Sequence, residues 1–410
     1  MSRVVRRPRQ AVRRPAVVIV VAAIVVVIAY LVAAAVVPFA PATARTTTYA
    51  APTATLPSLS FPQYGATAVQ APGFPDSLQT SGDAAPRSIA SISKVVTALV
   101  VLQDHPLTRS DDGPTITFTQ EQHDLYDTYL AQNGEVAQMP VGLQLSEKQT
   151  FQVMLMQSAN NYAGALALWA FGSMDGYRAA ASTWLAAHDL SDTSIAEPTG
   201  LNAANRSTAT DLVHLGELAL ANPVVKEIVG TTTTMVPGVG EIENSNKLLG
   251  MDGIEGIKTG TLDEAGACLL FAATYSRGGR EVTVVGAVLG GVDHDSLDVD
   301  VQRLLHSVAD NFHVITLANK GQTFGRYATP WQDHADAVAR RASTVLVWGR
   351  TTVAAKTRLD GVTFGNKGDR VGTVRFRIEH HGAVQVPLVL DADLADPGVW
   401  WRWANPFQGT

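Results

Sequence analysis

The sequence predicts an α+β fold with a small all-β domain appended, and three patterns predict it. Strand-like runs stand at both ends of residues 63–310 with apolar helical runs between them, residues beyond about 315 break into short β runs separated by turns, and a long uncharged stretch precedes both. With 410 residues, 46% hydrophobic and 17% charged, the chain has room for two or three domains and is too apolar to be disordered. The one cysteine excludes a disulfide framework and any site built from several thiolates, which leaves Cys268 as a core residue.

Arg3, Arg6, Arg7, Arg9, Arg13 and Arg14 precede Ala16 to Val37, 22 residues without a charge, closed by Pro38. As a helix this stretch reaches about 33 Å, against a hydrocarbon core of about 30 Å. It has no polar face, so a soluble core helix is a poor reading. The arginines assign residues 1–15 to a cytoplasmic basic tail, 16–37 to a transmembrane helix or signal anchor, and everything after it to the far side of the membrane. Ala42-Thr43-Ala44 is an acceptable signal-peptidase site, so cleavage is the rival reading. The apolar stretch exceeds the roughly 7–15 residues of a signal peptide, which favours an uncleaved anchor. Residues 38–62 hold Pro38, Pro41, Pro52, Pro57 and Pro62 with Thr46 to Thr48, an extended Pro/Thr-rich linker. Net charge is −6, and −12 once residues 1–44 are set aside, a balance that argues against nucleic acid as a partner.

In residues 63–310, Ile92 to Leu102 is apolar on nearly every face, as a helix inside a domain should be. Thr150 to Ala170 reads as one long helix and Thr210 to Ala221 as another. Ala66–Gln70 is a strand candidate at the start; Ala267–Tyr275 and Val282–Leu289 are two at the end, joined through Ser276-Arg277-Gly278-Gly279, a hairpin-like turn. Strands at both ends imply an antiparallel sheet whose first and last strands are neighbours, with helices packed on it. In residues 311–410 the runs Ser343–Trp348, Val371–Ile378 and Ala383–Leu390 make a β-rich domain. Trp400, Trp401 and Trp403, with Phe407 nearby, read as packing for that domain, with a membrane interface or sugar stacking as alternatives. His380-His381 falls in a turn between strands.

Three short motifs carry chemistry. Ser91-Ile92-Ser93-Lys94 opens the buried helix, and a spacing of three puts the Ser91 hydroxyl and Lys94 amine on one face. Lysine is scarce, 8 residues against 23 arginines. Arginine stays protonated and cannot act as a base; a desolvated lysine can. Lowering a lysine from its usual value of about 10.4 by about three units costs roughly 4 kcal/mol, within reach of burial plus a nearby cation. Ser158-Ala159-Asn160 offers a hydroxyl to relay a proton and an amide to hold a peptide group, or else a simple helix cap. Lys258-Thr259-Gly260 along a strand edge offers a grip for a carboxylate and a glycine that lets substrate backbone approach. Each motif alone is common by chance.

Their order is not. Ser-x-x-Lys, then Ser-x-Asn, then Lys-Thr-Gly resembles the penicillin-recognising serine enzymes, and most of all the D-alanyl-D-alanine carboxypeptidases among the low-molecular-mass penicillin-binding proteins. Flanking segments carry the same likeness: Pro86 to Leu99, Glu197-Pro198-Thr199-Gly200-Leu201, and Gly253 to Gly260 followed by Asp263-Glu264-Ala265-Gly266. Lys367-Gly368-Asp369-Arg370-Val371-Gly372 extends it, more weakly, into the β-rich domain. The resemblance implies a β-lactamase/transpeptidase-like catalytic domain over 63–310, with the sheet covered by helices on both sides. It implies that Ser91 attacks the penultimate D-alanine carbonyl of a peptidoglycan stem peptide, with Lys94 taking the proton and D-alanine leaving from an acyl-enzyme. Ser158 would relay a proton to the leaving amine. Asn160 would hold Lys94 and the substrate amide, and Lys258 and Thr259 the terminal carboxylate. Gly260 would let the peptide close in, and the backbone N–H groups of Ser91 and Thr261 would form the oxyanion hole. β-Lactams would be covalent inhibitors, and neither metal nor organic cofactor is required.

Some positions depart from the family pattern. Asn161 stands where an aspartate is usual, and Leu262 where a threonine often follows. Where relatives commonly carry an arginine that helps bind the carboxylate, this chain has Val292-Asp293-His294-Asp295-Ser296-Leu297-Asp298-Val299-Asp300, whose acids would repel an anion. The run reads as a solvated helix entrance, with a cation such as Ca²⁺ as the alternative. Two rival functions remain: a β-lactamase, for which Glu197-Pro198-Thr199-Gly200-Leu201-Asn202 supplies a superficial glutamate-base segment one residue too long, and a catalytically silent, membrane-tethered wall-binding protein.

Overall fold

Five antiparallel strands form the central sheet, in the order Ile254–Leu262, Gly266–Arg277, Arg280–Gly291, Ala66–Gln70, Gln79–Gly82. They are seen in a computed structural model that describes residues 13–52, 56–74 and 76–405. The arginines at 3, 6, 7 and 9 and Phe407 lie outside the described residues. As the sequence pattern implied, the first strand pairs with the last, Leu289 opposite Ala66 and Val285 opposite Gln70. The two long strands turn at Gly278-Gly279, both with positive φ, the mirror-image turn whose twist suits a two-residue hairpin.

Side chains alternate across this sheet, so its two faces build two separate cores. Cys268, Leu270, Ala272, Val285, Ala287 and Leu289 join the helices Ser93–Asp104 and Ala209–Ala221 on one face. Leu269, Phe271, Ala273, Val284 and Val288 meet Leu297, Val301, Leu304, Leu305 and Val308 of the helix His294–Ala309 on the other. Ten of the twelve residues in Ser93–Asp104 are buried, which is why that stretch shows no polar face in sequence. Cys268 is a free, buried thiol.

The one long helix expected over Thr150 to Ala170 is two. Glu147–Met156 ends at Gln157, Ser158 sits at φ +60°, Ala159 is extended, and Asn160–Phe171 begins a new helix. The apolar periodicity runs through the break because both helices bury the same flank against the same core. Only the polar Ser158-Ala159-Asn160 step marks the interruption, and it is the second motif.

Glu147 is an oddity of this unit. It is fully buried, neither carboxylate oxygen has a partner, and burial first, then the charge of Asp111, pushes its acid up to about 7. A carboxyl that binds its proton more tightly folded than unfolded makes the unfolded state lose protons first. Stability therefore falls as pH rises from the unfolded value of 4.5 through about 7. Glu147→Gln is expected to stabilise the protein by on the order of 2 kcal/mol at pH 8 and by little at pH 5, read as the change in melting temperature at each pH.

Among the described residues the chain divides into two compact units, the one above, made of 56–314 with 346–350, and a second made of 13–52, 315–345 and 351–405. The second contains a six-stranded antiparallel sheet ordered Thr43–Thr46, Thr323–Ala328, His334–Ala339, Gly382–Leu390, Arg370–Ile378, Val353–Leu359. Thr43–Thr46, read from sequence as part of an extended spacer, is thus the outer strand of the carboxy-terminal sheet, paired Ala44 with Tyr327. An extended Pro/Thr segment and an edge strand share the same backbone region, so composition does not separate them. Tyr327 anchors the interior, its hydroxyl donating to the Asp360 and Val371 carbonyls at 2.7 and 2.8 Å.

The amino-terminal helix Arg13–Val36 is long and apolar enough to cross a membrane, and none of its most apolar window is buried. Of the three tryptophans only Trp401 packs on the β-rich unit, its ring 5.8 Å from Trp331 and 5.9 Å from Phe39. All three lie on a short helix, Gly398–Ala404, that has no buried residue; Trp400 is 77% exposed. The Trp403 indole donates to the Leu31 carbonyl, Tyr30 Oη donates to the Trp403 carbonyl, and Arg402 donates to Ala35 and Val37. Three tryptophans near a chain terminus signal apolar burial, and a helix partner far away in sequence is invisible to composition.

Candidate active site

Ser91 lies in a single 3₁₀ turn, Ala90–Ile92, that leads into the helix Ser93–Asp104. Its predecessor Ala90 is buried at φ +45°, a left-handed conformation that costs a non-glycine residue about 1–3 kcal/mol and persists only where packing imposes it. Gly200 presses on that turn: a β-carbon there would lie 1.9 Å from the Ala90 carbonyl oxygen. Gly260 presses from the sheet side, where a β-carbon would sit 3.0 Å from the Ile89 carbonyl oxygen and 3.2 Å from the Ser91 nitrogen. Backbone strain and two close glycine approaches fix the hydroxyl between the sheet edge and the helical layer.

Lys94 is wholly buried and its Nζ makes three contacts: Ser91 Oγ at 2.9 Å, Asn160 Oδ1 at 2.6 Å and the Thr199 carbonyl at 2.6 Å. Burial, and after it the charge of Lys258, holds this amine well below the usual lysine range; Glu197 and Glu135 oppose the shift. Asn160 is positioned as the first residue of its helix, its backbone N–H donating to the Glu135 carbonyl at 2.7 Å. Ser158 is buried in the turn just before it.

Lys258, Thr259 and Gly260 lie on Ile254–Leu262, an edge strand of this sheet among the described residues. Such an edge can add an extended peptide as one more strand. Lys258 is 1% exposed, and burial lowers its amine to about 7 against the opposing field of Glu135. Its Nζ reaches Ser245 Oγ at 3.4 Å, and the Ser245 hydroxyl lies 2.6 Å from Thr259 Oγ1. The three motifs therefore come together, Asn160 of the second touching Lys94 of the first and Gly260 of the third pressing on the turn that carries Ser91.

Several residues of this arrangement carry no sequence signal that spacing reveals. Ser245 has no fixed offset from any motif; its loop is pinned by Ser245 N–H donating to the Met156 carbonyl. Asn161 clamps the facing loop, donating to the Ala137 carbonyl at 2.8 Å and accepting from the Ala137 N–H at 3.1 Å. An aspartate could accept there but not donate. Glu197 accepts the N–H groups of Thr199, Gly200 and Asn202 and the amide of Asn205, so it folds the loop that carries the Thr199 carbonyl to Lys94. A carboxylate so occupied is poorly placed to activate a water, which removes the feature that favoured a β-lactamase.

The acidic run separates into different tasks. Asp293 caps its helix, accepting from Ser296 N–H at 2.8 Å; Asp295 is 93% exposed and pairs loosely with Lys247 at 3.8 Å. His294 reaches the motif strand, its Nε2 lying 2.8 Å from Thr261 Oγ1. Among the described residues no group of three or more His, Cys, Asp or Glu side chains is arranged to hold a metal ion. The solvated helix entrance is the reading this geometry supports.

A profile of the D-alanyl-D-alanine carboxypeptidases, peptidase family S11, matches residues 78–291, just over half of the chain and every one of the three motifs. The chain belongs to this family. A D-alanyl-D-alanine carboxypeptidase of Streptomyces sp. (strain K15) is 31% identical over 239 residues, covering 54% of this chain and 78% of the relative. A D-alanyl-D-alanine endopeptidase of Pseudomonas aeruginosa is 31% identical over 208 residues, covering 48% of this chain and 63% of the relative, so the chain spans less than two thirds of that protein's length. Penicillin-binding protein 5 from Haemophilus influenzae superposes over 84% of this chain and 100% of its own with a TM-score of 0.58 at 17% identity, a likeness of fold. The fold is thus that of the penicillin-binding, transpeptidase-like enzymes, as the motif order implied.

Proposed function

We propose that the protein is a serine-type D-Ala-D-Ala carboxypeptidase that trims the terminal D-alanine from peptidoglycan stem peptides. The observation that carries this reading is the coordination of Lys94. A neutral amine has two N–H donors and one lone pair. Asn160 Oδ1 and the Thr199 carbonyl, both 2.6 Å away, are acceptors for the two N–H groups, which turns the lone pair toward Ser91 Oγ. Lys94 then takes the Ser91 proton as Oγ attacks the penultimate D-alanine carbonyl. The Ser91 and Thr261 N–H groups receive the oxyanion. Ser158 passes a proton to the departing amine, D-alanine leaves, and water hydrolyses the ester to regenerate Ser91.

Asn160 holds the substrate amide, while Lys258 and Thr259 hold the terminal carboxylate beside the open strand edge. Gly260, with no side chain, leaves room for the peptide next to Ser91. β-Lactams acylate the same oxygen. Residues 16–37 serve as an uncleaved anchor that holds the catalytic unit on the extracytoplasmic side, and most of 311–410 builds the β-rich unit. The silent wall-binding reading conflicts with a cleft whose serine and lysine are already in contact.

The test is to incubate the purified full chain with a stem pentapeptide and with a fluorescent penicillin. D-alanine release together with a long-lived, stoichiometric adduct mapped to Ser91 is the expected result. A rapidly lost adduct would make the protein a β-lactamase, and no adduct would make it a binding protein; either outcome overturns the proposal.

A further inference from the structure

The sequence raised a conflict at the mouth of the cleft, where an acidic run stands beside a site proposed to receive a carboxylate. The structure turns the nearest acids to other uses and leaves His294 against Thr261. Thr261 is exposed, directly follows Gly260, and its N–H is the proposed second donor to the oxyanion. His294, half-buried, opens the helix His294–Ala309. The 2.8 Å contact between Nε2 and Thr261 Oγ1 can run in either direction, and the direction has chemical consequences.

When Nε2 carries no proton it accepts from the Thr261 hydroxyl, and Thr261 then presents only lone pairs toward the cleft. When Nε2 carries a proton it donates to Thr261 Oγ1. That frees the hydroxyl to donate to an anion, and a doubly protonated ring adds a positive charge. Every charged group facing the ring bears on this balance. Burial, Lys258 from the motif strand and Lys247 from the preceding loop disfavour the imidazolium, while Asp298 on the same helix and the Gly260 backbone favour it. Asp293 is held by Ser296 and also lies near the ring. The sum leaves the ring less basic than an ordinary histidine.

We propose that His294 is a specificity-determining residue: its protonation decides whether the cleft favours a peptide ending in a free carboxylate or one whose terminus carries no charge. The inference rests on the carboxypeptidase reading above and extends it to substrate class. A neutral ring whose Nε2 accepts from Thr261 tolerates an uncharged or continuing terminus, and the doubly protonated ring selects the anion. No covalent step involves the ring, so His294 acts through Thr261.

The test compares kcat/KM for a peptide ending in D-Ala-D-Ala with that for the same peptide amidated at its carboxyl terminus, each measured at pH 5.5 and 7.5. Taking the ratio at a single pH cancels the shared demand that Lys94 be neutral. The wild-type preference for the free acid is expected to be at least about five-fold larger at pH 5.5, carried by KM rather than kcat. His294→Gln should make the ratio independent of pH, and His294→Arg should fix it high at both. A wild-type ratio that does not change with pH, or a pH dependence that survives in His294→Gln, overturns the proposal. Penicillin labelling of Ser91 in all three proteins tests the carboxypeptidase reading separately: intact labelling with an unmoved ratio removes only the role of His294.

Discussion

Lys94→Arg is expected to lower the rate of acylation by a fluorescent penicillin by about 10⁴-fold or more, as large a loss as Ser91→Ala. Arginine keeps the positive charge and the hydrogen-bonding capacity, so a lysine that merely attracted substrate would survive the exchange. It cannot surrender its proton, and a Ser91 hydroxyl beside a permanent cation has no acceptor. The pocket also has no slack, since Lys94 is wholly buried and its Nζ already touches three oxygens within 2.9 Å. Because nucleophile and base act as one unit, the double variant should be no slower than either single one. Residual labelling within ten-fold of wild type in Lys94→Arg would assign the base elsewhere. A melting curve for each variant separates lost chemistry from lost fold.

The order of the motifs was legible in sequence because each obeys a short-range rule. Ser91 and Lys94 meet through helical spacing, and Lys258, Thr259 and Gly260 share one strand. The three inner sheet strands were legible for a similar reason: apolar runs bounded by turns lie at both ends of the domain, whereas the outer strands Ile254–Leu262 and Gln79–Gly82 carry no such run. What was hidden is contact between distant segments. Ser245 approaches Lys258 through a loop, Glu197 folds the turn that delivers the Thr199 carbonyl to Lys94, and Asn161 ties down Ala137. The break between Glu147–Met156 and Asn160–Phe171 was hidden because one core buries both helices. In sequence His294 stands out only for the acids around it. A charge run suggests a field, and which member faces the cleft depends on where the helix cap falls.

Lys258→Met separates two tasks the second lysine performs. Its ammonium is buried at 1% exposure, with Ser245 Oγ at 3.4 Å as its hydrogen-bond partner. Burial depresses its amine from 10.5 to about 7, so the folded state binds this proton less tightly than the unfolded chain. Between pH 7 and 10.5 the unfolded state holds more protons, and wild-type stability rises with pH across that window; below it the whole penalty is felt. Lys258→Met removes the penalty. It should stabilise the protein at pH 6 by on the order of 3 kcal/mol, roughly 5–10 °C in melting temperature, with the gain shrinking toward pH 10. Catalysis should move the opposite way. Without the Lys258 charge the Lys94 amine regains basicity, so the acidic limb of the acylation profile shifts to higher pH, and at neutral pH the rate falls by about 10²–10³-fold. A variant that is both slower and less stable at pH 6 would mean that Lys258 holds the fold together, whereas slower and more stable is the signature of a charge kept for chemistry at the expense of stability.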